Sequence, residues 1–93
     1  MPYSPIILAV LTDAVMYLAR TDGYLSQRLL YVDQRWLEPL SEDELDEDLR
    51  TDLEAIRRAI RQTWNTFTLH WAAETLVTML LRYAGRLQAD ARG

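Results

Sequence analysis

Residues 41–71 read SEDELDEDLRTDLEAIRRAIRQTWNTFTLHW, and in them Leu45, Leu49, Leu53, Ile56, Ile60, Trp64, Phe67 and Trp71 recur at intervals of four and three. That spacing traces one face of an α-helix rather than the two-residue alternation of a strand. At its start, Ser41 and Glu44 are spaced as a capping box, flanked by Leu40 and Leu45 as a hydrophobic staple. A helix is therefore expected over 42–62. The β-branched and Asn-containing run from Thr63 to Thr68 lowers helix propensity, so the face either breaks there or passes through a kink. After it, Leu69, Ala73, Leu76, Leu80, Tyr83 and Leu87 form a heptad-like seam, which predicts a helix over 66–88. Gly85 interrupts that seam at a cost of about 1 kcal/mol against Ala, so 88–93 is expected to be a loose tail.

The N-terminal half adds two more segments. Ser4 before Pro5 reads as an N-cap with a first-turn proline, and residues 6–20 are apolar on almost all sides, as in a helix buried most of the way round. Gly23 is placed to take the left-handed conformation that ends a helix. Ser26 can cap the next one, with Leu25 and Leu30 as a staple, and Pro39 must stop it near Glu38. The fold class is all-α: a compact bundle of about four helices near 5–20, 26–38, 42–62 and 66–88, the last two either separate or one long or kinked helix. With 93 residues the chain reads as a single domain, 1–93.

Composition narrows the function classes. Hydrophobic residues make up 49%, and Gly and Pro only six positions, so the chain is expected to fold rather than remain disordered. There is no Cys, which excludes a disulfide framework, a thiolate metal site and a Cys nucleophile. The apolar run Ile6–Leu11 has no basic stretch before it, and 69–84 contains His70, Glu74 and Arg82. Neither reads as a signal peptide or a membrane span, which needs roughly 20 apolar residues. A cytoplasmic location without membrane association is expected. His70 and Glu74 share a helical face, but two ligands are not a metal site, and no nucleophile elbow or phosphate-binding loop is present. The expectation is a non-enzyme with no cofactor and no metal.

Charge is the informative feature. Residues 1–40 carry a net −1, residues 41–54 a net −7 and residues 55–93 a net +4. Some of the acids suit a helix start, and Asp46 with Arg50 and Glu54 with Arg58 are favourable pairs four apart. Like-charged pairs at that spacing, such as Glu42 with Asp46 and Glu44 with Asp48, are not. The density exceeds what capping needs, and most of these carboxylates are expected to face water. The function expected is a small acidic interaction module (an adaptor, assembly chaperone or inhibitor, phage- or mobile-element-encoded in one version) that docks a basic protein surface. Glu42, Asp43, Glu44, Asp46, Glu47 and Asp48, at the head of the acidic stretch 42–54, are the candidate contacts. The alternative is an antitoxin-like or other nucleic-acid-associated regulator using Arg57, Arg58 and Arg61. That alternative ranks second, because the chain is acidic and the second helix carries Asp33 and Glu38 among its outward candidates.

The stripe Trp64, Phe67, Trp71 reads first as core and second as an anchor surface, since Trp and Tyr are enriched at interface hot spots. A domain of this size leaves much of its surface uncovered. A homodimer is therefore expected, its interface drawing on Trp64, Phe67 and Trp71 or on the Leu76, Leu80, Tyr83 face.

Overall fold

Ser4 opens the first helix as its place before Pro5 requires, its hydroxyl accepting the Ile6 N–H at 3.1 Å. In the computed structural model, which describes residues 3–40, 42–62 and 65–92, α1 spans Pro5–Arg20 and α2 Leu25–Val32. A π-helical turn, Asp33–Leu37, continues α2. After a short 3-10 turn at Glu42–Glu44 come α3, Glu47–Gln62, and α4, Thr66–Arg92. Helix accounts for 86% of the described residues, and no strand occurs among them. The fold is the all-α bundle expected.

Packing follows the apolar spacing. α3 buries Leu49, Leu53, Ile56 and Ile60, and Leu45 is buried just ahead of it. α4 lies across all three other helices and buries Leu69, Ala72, Leu76, Met79 and Tyr83. Its seam is thus rotated from the expected one: Ala72 and Met79 point inward, while Ala73 and Leu80 are half-buried. Both readings have three-and-four spacing, and a helix this apolar permits either. α1 buries only Ile7, Leu11 and Ala14 fully, instead of most of its surface; Ile6 and Met16 are exposed. α1 packs on α4 and α2 from one side, which leaves its far side to solvent.

Turns explain the element ends. Gly23 takes a φ of 115°, the left-handed region that suits glycine. Arg28 reaches back from α2 to donate to the carbonyls of Leu18 and Gly23, tying the α1–α2 junction. Tyr24, not Ser26, occupies the N-cap of α2, and no side chain caps it. The expected helix from 42 begins instead at Glu47, with Glu44 in the 3-10 turn; Ser41, the other half of the expected capping box, lies outside the described residues. α4 begins on Asn65, whose side-chain oxygen accepts from the N–H groups of Phe67 and Thr68. Thr63 and Trp64 between α3 and α4 also lie outside the described residues. The tail expected to be loose continues α4 to Arg92, so Gly85 does not end the helix.

Two polar links cross the core. The buried Tyr83 hydroxyl accepts the Ser4 N–H at 2.7 Å, fixing the start of α1 on α4. Asp33, expected among the outward residues of the second helix, is 1% exposed. The π turn, wider than an α turn, keeps Asp33 and Leu37 both inward, and the Asp33 carboxylate accepts from Arg57 Nε at 2.7 Å and Arg61 Nε at 3.3 Å. Removing one partner of a buried pair leaves an uncompensated charge. Arg57→Ala, which strips the closer and better buried arginine, should lower the unfolding free energy by about 3 kcal/mol. Arg61→Ala, at a half-exposed position, should cost no more than about 1 kcal/mol. Urea denaturation of the two variants measures the difference, and equal losses would show that the burial of Arg57 is irrelevant.

Candidate functional site

The acidic segment folds onto the basic one. Leu45, buried, pins the chain between the 3-10 turn and α3, and this places Asp46, Asp48 and Asp52 beside the C-terminal half of α4. Arg86 grips Asp48 as a fork, Nη1 to Oδ1 at 2.9 Å and Nη2 to Oδ2 at 2.5 Å, and its Nη1 also reaches Asp46 at 2.8 Å. Arg82 donates to Asp52 at 2.9 Å and stands 3.6 Å from Asp48. The Tyr3 hydroxyl closes the chain of contacts by donating to Asp46 at 2.7 Å. Asp46 is thus held by residues 40 or more positions away in sequence, while Arg50 donates to the Leu45 carbonyl.

Electrostatics follow from these contacts. The hydrogen bonds from Arg86, assisted by its charge, hold the Asp48 carboxyl down to about 2 from an ordinary 3.8. The same fork makes the Arg86 guanidinium hold its proton more tightly than usual. The Tyr3 phenol is pushed above its ordinary value, first by its hydrogen bond to the Asp46 carboxylate. Of the six expected contact residues, Asp43, Glu44, Glu47 and Asp48 are exposed and Asp46 is half-buried; the Glu42 side chain lies outside the described residues. Mutual repulsion within the segment is therefore relieved partly inside the chain, by Arg82 and Arg86.

The other candidates are placed as follows. Arg57 and Arg61 are turned to Asp33, and Arg58 faces solvent. The arginine trio does not present one basic face. Phe67 is 86% exposed and Trp71 44%, so the preferred core reading of that stripe is corrected for these two; Trp64 lies outside the described residues. Leu76 and Tyr83, expected as interface residues, are sealed in the chain's own core at 0% exposure, and Leu80 is half-buried. A contact surface on α4 therefore has to use its opposite face. An unanticipated aromatic group joins α1 to α2 and the π turn: Tyr17 stacks on Tyr31 at 4.7 Å, and both meet Trp36. Its signal in the sequence was only three aromatics spread over two segments. Beside it, a cleft of about 300 Å³ is lined mainly by apolar side chains, including Ile6, Val10 and Leu40.

Among the described residues no group of three or more potential metal ligands gathers, and no helix is long and apolar enough to cross a membrane. The chain matches no protein-family model, and no curated protein or solved structure gives a significant match.

The Asp48–Arg86 fork has a pH signature. Its carboxyl has a folded pKa below the unfolded value, so its contribution is present above pH 3.8 and is lost as pH falls toward 2. Wild type should lose urea resistance over that window more steeply than Arg86→Gln, and the gap between the two proteins should close with acid. Parallel slopes would mean that the fork contributes no net stability.

Proposed function

We propose that the chain is a small, non-catalytic helical interaction module that docks a basic protein surface through its acidic corner. The observation that carries this reading is the excess of acid at the corner. Arg82 and Arg86 engage Asp46, Asp48 and Asp52, while Asp43, Glu44 and Glu47 remain exposed. Such an acidic excess attracts a basic partner and accelerates encounter at low salt. The clamp formed by Arg82 and Arg86 on Asp46, Asp48 and Asp52 fixes the corner, and the outward acids make the contact. A second copy of the chain belongs to the same proposal, supported by the exposed Phe67 and Trp71. A cytoplasmic setting is the one proposed.

The test leaves the clamp intact. A variant carrying Asp43→Lys, Glu44→Lys and Glu47→Lys keeps Asp46 and Asp48, so its helical circular dichroism should match wild type. Proteins retained from native-host lysate are compared at low and physiological salt. The expected outcome is that a basic-surfaced binder held by wild type is lost with the variant, by at least tenfold at low salt. A binder retained equally by both proteins at both salt concentrations overturns the acidic-corner reading.

A further inference from the structure

Opposite its buried seam, α4 presents Phe67, Trp71, Glu74, Thr78, Leu81 and Gly85 within one narrow arc, all exposed. Phe67 is 86% exposed, Leu81 67% and Trp71 44%, so the longest helix carries large apolar side chains on its exposed side as well as on its buried one. Gly85 is the unexpected member. A Cβ there would meet nothing within 4 Å, and its φ is not in the left-handed region, so neither packing nor backbone geometry within the chain calls for glycine. Alanine is the better helix former at such a position. Phe67 and Gly85 are 18 residues apart, five turns at 3.6 residues per turn, and so lie on one line along the helix.

We propose that α4 pairs antiparallel with α4 of a second copy, about a two-fold axis midway between Glu74 and Thr78, seating Phe67 of each copy over Gly85 of the other. The inference rests on the homodimer part of the proposed function and supplies its geometry. What selects a second copy as the occupant is self-complementarity. A single two-fold operation brings Phe67 level with Gly85, where bulk meets space, Trp71 level with Leu81, where apolar meets apolar, and Glu74 level with Thr78, where the two polar residues meet. The missing Cβ lets a bulky ring close on the backbone, as small residues do wherever helices approach closely. Area agrees. Aromatic side chains bring roughly 150–250 Å² each. At the observed exposures, Phe67, Trp71, Val77 and Leu81 offer on the order of 500 Å² per copy, which when fully covered gives about the 1,000 Å² in total that a specific interface needs.

The chain has no Cys, which permits a clean cross-linking test. Phe67→Cys and Gly85→Cys are made as separate single variants, checked for helical circular dichroism, and oxidised alone and mixed. In the proposed pairing a disulfide forms in the mixture, where the two Cα atoms fall within the roughly 4.4–6.8 Å a disulfide spans. Neither variant alone cross-links, because like positions sit at opposite ends of the pairing. Light scattering is run alongside. Wild type should show twice its 10.9 kDa mass, Gly85→Leu should raise the dimer dissociation constant at least tenfold, and Gly85→Ala should raise the melting temperature of the dissociated chain at low micromolar concentration. Wild type that stays at 10.9 kDa at several hundred micromolar overturns this inference and the homodimer, leaving the acidic corner untouched. A dimer whose mixed variants fail to cross-link, or which Gly85→Leu leaves intact, overturns this pairing alone.

Discussion

One apolar seam along α4 sets the geometry of the rest. Its 27 residues rise about 40 Å at 1.5 Å per residue, close to the 42 Å long dimension of the molecule, and the helix packs on α1, α2 and α3. Leu69, Ala72, Leu76, Met79 and Tyr83 are all nearly or fully buried on it. Because every other helix is shorter and lies on that one side, burial of the seam leaves the opposite side of α4 uncovered by the chain. The same placement carries Arg82 and Arg86 to the head of α3. Packing thus determines both where α4 is bare and which charges it meets.

The two sets of ion pairs do different work. Arg82 and Arg86 meet Asp46, Asp48 and Asp52 at partly exposed positions, where solvent screening leaves an ion pair little net stabilisation. Their value lies in orientation: Tyr3, the segment before α3 and the end of α4 are held together by one guanidinium and its neighbours. Asp33 is another case. Sealed under the π turn, it depends on Arg57 and Arg61, and so fixes how α2 sits on α3. A register slip of either helix would strand a carboxylate in the core.

Local chemistry made much of this fold readable. Ser4 with Pro5, Gly23 and Pro39 are strong punctuation, and the α3 face from Leu49 to Ile60 admits one orientation. The misreadings arise where local signals compete with distant partners. The capping-box spacing points to a start near 42, whereas α3 begins at Glu47, after the buried Leu45 and beside the Arg86 contacts of Asp46 and Asp48. A charge in an amphipathic pattern normally faces outward, and only Arg57 and Arg61, four apart on the facing helix, signal in the sequence that Asp33 does not. On α4, Ala73 and Leu80 fit the seam spacing as well as the buried Ala72 and Met79 do, because apolar residues ring that helix and periodicity cannot choose among equal faces. At the candidate site, the −7 and +4 segments were visible as totals, but their closure on each other depends on contacts 30 to 43 residues apart, which no local pattern encodes.

That shift in the start of α3 also changes what its acids mean. Acids within the first turn of a helix are stabilised by the macrodipole, an effect that falls off beyond that turn. With α3 beginning at Glu47, Glu47 and Asp48 gain from it, whereas Asp43 and Glu44 lie upstream in the 3-10 segment. The dipole of α3 therefore does not account for those two. They are exposed, and the nearby Arg82 and Arg86 are engaged with other carboxylates. Gly85 stands in the same position on α4, a residue that the isolated chain would exchange for alanine at a gain. Both features oppose the stability of the monomer by small amounts, and both lie on its surface. Local choices that disagree with the fold around them are where function is expected to be written, and here they fall on the two surfaces, one charged and one apolar, that the proposed docking and the proposed pairing would use.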